Sequence, residues 1–127
     1  MAKYVELREV YAYYEPLASH GPSDESIRSI LDQAEAEVEA HLESLGWDLS
    51  SSVSGRALQT LKKLIILKTL SDALLSPIGT SGTHIDSRIA DQFRDRFESL
   101  LGLVERLPAL MEGAERRYTP NVPRFPE

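Results

Sequence analysis

The fold is decided by the stretch Leu61-Lys62-Lys63-Leu64-Ile65-Ile66-Leu67-Lys68-Thr69-Leu70. The apolar run Leu64–Leu67 would suit a short buried strand as well as a helix by hydrophobicity alone. The lysines on both sides and the leucine-rich composition favour a helix. Its apolar residues cover more than one face, which is typical of a helix at the centre of a bundle. The sequence therefore predicts a central helix that begins after Ser54 and ends before Pro77.

Two further segments with helical period lie on either side of this helix. The earlier one has Ser23 or Asp24 as its N-cap, and Gly46 lies where a glycine would end it. The later one follows a Gly/Ser/Thr loop at residues 79–83 and ends or kinks before Pro108, which cannot continue the hydrogen-bond ladder. Their apolar positions recur at spacings of three and four: Ile27, Ile30, Leu31, Ala34, Val38, Leu42 and Leu45, then Ile85, Ile89, Ala90, Phe93, Phe97, Leu100, Leu101, Val104 and Leu107.

The two ends of the sequence differ in character. Residues 4–14 are predicted to form a short helix that stops before Pro16. Residues 118–127 contain three prolines and favour an extended conformation without internal hydrogen bonds. We therefore predict an all-α fold, with three long helices and a short N-terminal helix in a small bundle. Residues 1–113 form this helical domain and residues 114–127 an extended C-terminal arm.

Charge is unevenly distributed along the 127 residues, which carry 14 Lys+Arg, 20 Asp+Glu and a net charge of −6. Residues 24–48 contain eight acidic residues and one base, whereas residues 55–75 contain four bases and one acid. The acidic balance argues against duplex DNA or an anionic membrane as a specific partner. With no cysteine, thiol catalysis, disulfides and iron–sulfur sites are excluded.

No pattern of residues indicates catalysis or a bound cofactor. Glu37 and His41 are four residues apart on the first long helix, where they could hold a weakly bound ion or form an ordinary exposed polar pair. The loop at residues 79–83 lacks the Lys-Ser/Thr of a phosphate-binding loop. We therefore expect a protein that is not an enzyme and that requires neither metal nor cofactor.

A stripe of acids on the first long helix is the clearest candidate contact surface within the helical domain. It lies opposite the apolar face, so it is either a solvated surface or a seam that meets bases of another subunit. Charge complementarity across such a seam sets register and partner choice more than affinity. The candidate residues for an intersubunit or channel face are Asp32, Glu35, Glu39, Glu43, Arg94 and Arg96.

The C-terminal arm is the second candidate contact surface. Apolar side chains between prolines provide anchors on a stiffened chain that loses little entropy on docking. A disordered terminus is the alternative interpretation. The candidate docking residues are Arg117, Tyr118, Pro120, Val122, Pro123 and Phe125.

The order of these features resembles the small head–tail connector proteins of tailed bacteriophages, also called adaptor or head-completion proteins. The resemblance covers about residues 4–107 and consists of helix order, helix lengths and apolar positions. It is carried by Tyr4-Val5-Glu6-Leu7-Arg8-Glu9-Val10, by the first long helix over residues 30–42, by the central helix over residues 61–70 and by the last helix over residues 89–101.

This resemblance implies an all-α virion protein at the head–tail junction, made in the cytoplasm of the bacterial host. Such subunits form a ring, usually dodecameric, that binds the portal protein on one side and tail or stopper proteins on the other. The ring extends a channel through which DNA passes without specific binding, and no membrane is involved. Extended termini in this family often dock on neighbouring subunits or on the portal.

Two other classes of function remain open from the residues themselves. A cytoplasmic helical adaptor in regulation or signalling would bind one peptide or helix partner and would not need the portal. A helical enzyme would need a metal or cofactor that co-purifies with it. The size of the protein in solution, alone and with a portal protein, separates the first of these from a connector.

Overall fold

A computed structural model describes residues 3–20, 23–50, 53–75 and 87–116, and in them the predicted all-α fold is confirmed. The loop predicted at residues 79–83 lies outside the described residues. A 3-10 turn, Pro108–Met111, follows the last helix. The other elements are α1 (Leu7–Tyr13), α2 (Pro16–His20), α3 (Asp24–Ser44), β1 (Trp47–Asp48), α4 (Gly55–Leu75), α5 (Ser87–Arg106) and β2 (Glu115–Arg116).

Helix α4 lies at the centre of the bundle, as its apolar circumference predicts. It packs against α3 and α5 on its two flanks and also contacts α1 and the 3-10 turn. Leu61, Leu64, Ile65 and Leu70 are completely buried. The lysine-flanked run is therefore helical, and it provides the centre of the hydrophobic core.

The predicted ends of the long helices are confirmed where the structure describes them. The Ser23 hydroxyl accepts a hydrogen bond from the Ser26 N–H at 3.3 Å and so caps α3. Gly46, which follows α3, adopts a left-handed conformation with φ of 96°, which favours glycine. Helix α5 ends at Arg106, just before the proline-containing turn.

A two-stranded antiparallel ladder closes one end of the bundle, and the sequence analysis did not predict it. Trp47 pairs with Arg116, and Asp48 pairs with Glu115. Glu115 and Arg116 belong to the predicted arm, so the chain remains part of the helical body through Arg116. Because β1 follows α3 and β2 follows α5, these two helices end at the same end of the bundle, where α4 begins.

The segment after α5 also completes the start of α4. The Ala57 N–H donates to the Glu112 carbonyl at 2.8 Å, and the Ser54 N–H donates to the Gly113 carbonyl at 3.2 Å. The first N–H groups of a helix have no partner within the helix. A distant part of the chain therefore supplies an acceptor at the start of the central helix.

The N-terminal region differs in detail from its prediction. Helix α1 occupies only residues 7–13, and the Glu6 N–H donates to the Glu9 carboxylate at 3.1 Å at its start. A second short helix, α2, begins directly at Pro16. Proline is well tolerated in the first turn of a helix because the N–H it lacks would have no partner there. The sequence analysis used Pro16 only as a stop and so missed α2.

Candidate functional site

Glu35 does not lie on the exposed stripe predicted for it, because the residue is only 4% exposed. Its carboxylate accepts hydrogen bonds from the backbone N–H groups of Lys3 at 2.8 Å, Tyr4 at 2.9 Å and Val5 at 3.3 Å. A buried carboxylate needs such donors because burying an ionised group without partners is very costly. The predicted placement of Glu35 on a solvated surface is therefore wrong. Its carboxylate binds residues 3–6, here called the N-terminal strap, to α3.

The other predicted acids of α3 have three different environments. Asp32 is partly buried and lines a cleft of about 450 Å³ together with Arg28 and residues of the strap and α1. The Glu39 carboxylate lies 3.9 Å from the Lys3 Nζ, and its side chain is 19% exposed. Burial raises the pKa of Glu39; Lys3 opposes this shift, while neighbouring acids add to it. Glu43 is exposed, so the four acids do not form one continuous solvated surface.

Arg94 and Arg96 are both exposed on α5, but they do not share a surface. Residues two apart on a helix project to nearly opposite sides. The Arg94 Nη2 lies 3.0 Å from the Asp91 carboxylate, one turn earlier on the same helix. The Arg96 guanidinium lies 5.7 Å from the centre of the Phe93 ring. Among the residues that the structure describes, neither arginine forms a direct ion pair with the predicted acids of α3.

Lysines of the basic helix α4 form ion pairs with acidic residues of the same chain. The Lys68 Nζ lies 3.4 Å from Glu37 on α3 and 3.4 Å from Asp72 on α4. It also lies 5.9 Å from the centre of the Phe97 ring on α5. Burial raises the pKa of Asp72, although Lys68 opposes that shift. One lysine therefore connects all three long helices.

A second lysine of α4, Lys62, contacts α1. Its Nζ lies 3.3 Å from the Glu9 carboxylate. Burial would raise the pKa of Glu9, but a backbone hydrogen bond from Glu6 and the charge of Lys62 outweigh burial and lower it. Some of the basic and acidic side chains that the sequence suggests for contact between copies thus form ion pairs within the bundle instead.

His41 pairs with a different carboxylate from the one its spacing suggests. Its Nε2 lies 3.6 Å from the Glu105 carboxylate, at the ends of α3 and α5. Glu37, four residues before it, instead contacts Lys68. The described part of the chain contains no group of three or more His, Cys, Asp or Glu that could hold a metal ion.

A groove between α4 and α5, bordered by the end of α1, is a feature that sequence reasoning missed. It has a volume of about 510 Å³ and is called here the α4–α5 groove. The signal available in the sequence is Leu103, an apolar residue outside the predicted stripe of α5. Leu107, placed in that stripe by the sequence, is instead exposed because α5 ends at Arg106. The groove is lined by Tyr13, Lys63, Leu67, Asp95, Arg96, Ser99, Leu100 and Leu103.

The predicted docking residues of the arm, Arg117, Tyr118, Pro120, Val122, Pro123 and Phe125, lie outside the described residues. The chain enters the arm from a fixed point, because the Arg116 guanidinium lies 4.7 Å from the centre of the Trp47 ring. Its Nη2 also donates to the Leu45 carbonyl at 3.3 Å. Cation–π contact and hydrogen bonding together hold Arg116 against the end of α3.

Comparison with protein-family models, with curated proteins and with solved structures finds no match to this chain. Across the four described ranges, no helix is both long enough and apolar enough to cross a membrane. The described residues provide three candidate contact features: an acidic flank on α3, an apolar groove beside α5 and a fixed starting point for the arm.

Proposed function

We propose that the chain is a structural, non-enzymatic subunit of the head–tail connector of a tailed bacteriophage. Copies of it would form a dodecameric ring between the portal protein and the tail or stopper proteins. The ring would extend the DNA channel without binding DNA specifically. The proposal begins from the resemblance in helix order, and the confirmed all-α bundle is compatible with it.

The observation that carries the proposal is that the two flanks of α4 are dissimilar. One flank is α3, whose exposed residues include the acids Glu25 and Glu43. The other is α5, whose exposed residues include bases such as Arg94 as well as acids such as Asp91. A ring of identical subunits is built from two different surfaces of each copy. Two helices with such different exposed charges supply surfaces of this kind.

The acidic residues of α3 also suit a channel wall. Binding to DNA depends on cations that neutralise its phosphates. Exposed carboxylates such as that of Glu43 provide no such contact and repel the phosphates. A wall of this kind would let DNA slide past it, which is the property that the proposed ring needs.

The direct test is to mix the purified chain with the portal protein of the same genome. We expect a complex whose mass, measured by native mass spectrometry, corresponds to a closed ring of this chain on the portal. Electron microscopy of the same sample would show the ring. A chain that stays monomeric and ignores the portal would contradict the proposal and favour the helical adaptor.

Charge reversal tests whether the two flanks meet in the ring. We expect Arg94→Glu to reduce ring formation and Glu43→Arg to reduce it similarly, with partial recovery in the double variant. Arg56→Glu is a matched control, because Arg56 is exposed in the first turn of α4, where an acid favours the helix dipole. Full assembly by both single variants would exclude contact between these flanks.

Removal of residues 117–127 tests the arm. We expect weaker attachment to the portal or to tail proteins and an unchanged far-ultraviolet circular dichroism spectrum, because the described helices end before this segment. If the shortened chain attaches as tightly as the full chain, the arm does not contribute to docking.

A further inference from the structure

Exposed apolar side chains are concentrated at the α4–α5 groove. Within the described residues, the large apolar side chains that are clearly exposed are Tyr13 at 40%, Leu103 at 38% and Leu107 at 51%. Tyr13 and Leu103 line the groove, and Leu107 lies four residues after Leu103, just past the end of α5. Scattered exposed apolar residues need no explanation, but a contiguous patch with a polar rim is typical of an interaction site.

The bases that line this groove differ from the other lysines of α4. Lys62 and Lys68 form ion pairs with carboxylates of the chain. Lys63 on α4 and Arg96 on α5 have no carboxylate partner within the part of the chain that the structure describes. Two cations thus lie on opposite walls of an apolar groove and offer a site for an incoming carboxylate.

Asp95 limits which acidic partner fits. It lines the same groove and directly precedes Arg96. A partner with acids along its whole length would bring some of them towards the Asp95 carboxylate, and like charges in proximity are destabilising. The charges therefore favour a partner with only a few carboxylates, placed to meet Lys63 and Arg96, and with apolar side chains elsewhere.

We propose that the α4–α5 groove binds an amphipathic helix of another protein, independently of ring formation. From Arg96 to Arg106, α5 rises about 15 Å, so the bound helix would be about three turns long. Its apolar residues, at i, i+4 and i+7, pack on Tyr13, Leu100 and Leu103. Carboxylates beside this apolar face pair with Lys63 and with Arg96. This is the helix-in-groove mode of recognition.

The exposed surface of α3 from a second copy fits the groove less well than such a helix. Its exposed apolar side chains are only Ala36 and Ala40. These methyl groups would leave much of the apolar area of Leu103 and Tyr13 in contact with water. The chemistry of the groove therefore favours an occupant with large apolar side chains.

The test uses a designed helical peptide of about four turns. It has leucines at i, i+4 and i+7 and two glutamates beside this apolar face, and its counterpart has lysines in place of the glutamates. Circular dichroism checks that both peptides are equally helical. We expect the glutamate peptide to bind the full chain roughly tenfold more tightly, from about threefold for each base. On binding of this peptide, the amide chemical shifts of the chain should change most around Tyr13, Lys63, Ser99 and Leu103.

Variants of the chain locate the binding site. Leu103→Asp should weaken binding by roughly tenfold or more because it places a charge among buried leucines. Ala40→Asp is the matched control, since it adds the same charge to an exposed position of α3. Lys63→Glu combined with Arg96→Glu should reverse the preference, so that the lysine peptide binds more tightly. Circular dichroism of each variant checks that the bundle is intact.

Four outcomes would overturn the proposal. The first is equal binding of the two peptides, and the second is an equal loss of peptide affinity in Leu103→Asp and Ala40→Asp. The third is self-association of the chain that Leu103→Asp abolishes while peptide binding persists. The fourth is much tighter peptide binding after removal of residues 117–127. The third would assign the groove to a second copy, and the fourth would assign it to the arm. None depends on the portal experiment, so this proposal and the proposed function can fail separately.

Discussion

Replacing Glu35 with alanine tests the main correction that the structure makes to the sequence. If the carboxylate binds the N-terminal strap, its removal leaves the N–H groups of residues 3–5 without their acceptor. If it instead belonged to an exposed stripe, its loss would change the free energy of unfolding very little. The two interpretations predict effects that differ several-fold.

The size of the expected effect follows from the bond lengths. A hydrogen bond to a charged acceptor contributes about 1.5–3 kcal/mol. Two of the three bonds are short, at 2.8 and 2.9 Å, while the third, at 3.3 Å, is expected at the low end. Their effects do not add fully, because the strap can detach and hydrate its N–H groups, although detachment exposes the buried Val5. We expect Glu35→Ala to lower the free energy of unfolding by about 3 kcal/mol.

Urea denaturation followed by circular dichroism measures this loss, which corresponds to a fall in Tm of about 10 °C for a chain of this size. Glu35→Gln, which keeps one acceptor oxygen, should lose about half as much. Glu43→Ala is the matched control on the same helix and should stay within about 0.5 kcal/mol of the parent. Amide exchange in residues 3–10 should accelerate only in the Glu35 variants. Equal stability of Glu35→Ala and Glu43→Ala would refute the buried-anchor interpretation.

Three other predictions concern two glycines and one tyrosine. Gly113 has φ of +108°, and a Cβ there would overlap the Ser54 carbonyl, so Gly113→Ala should cost about 3 kcal/mol in urea denaturation. Gly102→Ala, in open space on α5, should instead stabilise the chain by about 0.5–1 kcal/mol, and a loss there would contradict the helix geometry. Burial and the 2.5 Å hydrogen bond to Asp24 raise the pKa of Tyr11 from 10.0 to about 12. The stabilisation that the neutral Tyr11 side chain provides is therefore complete below pH 10 and lost as the pH rises to about 12. The absorbance of the phenolate, with Tyr11→Phe as the blank, measures the pKa of Tyr11. We expect this pKa to fall in Asp24→Asn.

The helices could be predicted because their signals are local. The apolar spacing of α3, its serine cap and its glycine stop all lie within one stretch of sequence. The central position of α4 could also be predicted, since only a helix surrounded by others can bury apolar residues such as Leu64 and Ile66 on several sides. The period of the apolar residues shows which faces of a helix must be buried. For these helices, that information is sufficient to predict their place in the bundle.

The environments of single polar residues could not be predicted in the same way. Glu35 has the same helical spacing to its acidic neighbours as any exposed glutamate, and its burial depends on where a segment 30 residues away docks. The pairing of Trp47 with Arg116 joins still more distant positions, and each strand has only two residues. The α4–α5 groove likewise arises from three separate elements. Such features depend on tertiary contacts that no local pattern encodes.

Anchoring of Arg116 against Trp47 limits the reach of everything that follows it. An extended chain covers at most about 3.3–3.6 Å per residue, so Phe125 can lie no more than about 30 Å from the anchored arginine. Helix α4, with 21 residues, is itself about 32 Å long. The arm can therefore extend at most about the length of the bundle, measured from the end where β1 and β2 pair. The position of Arg116 thus sets how far from that end a partner of Tyr118 or Phe125 can lie.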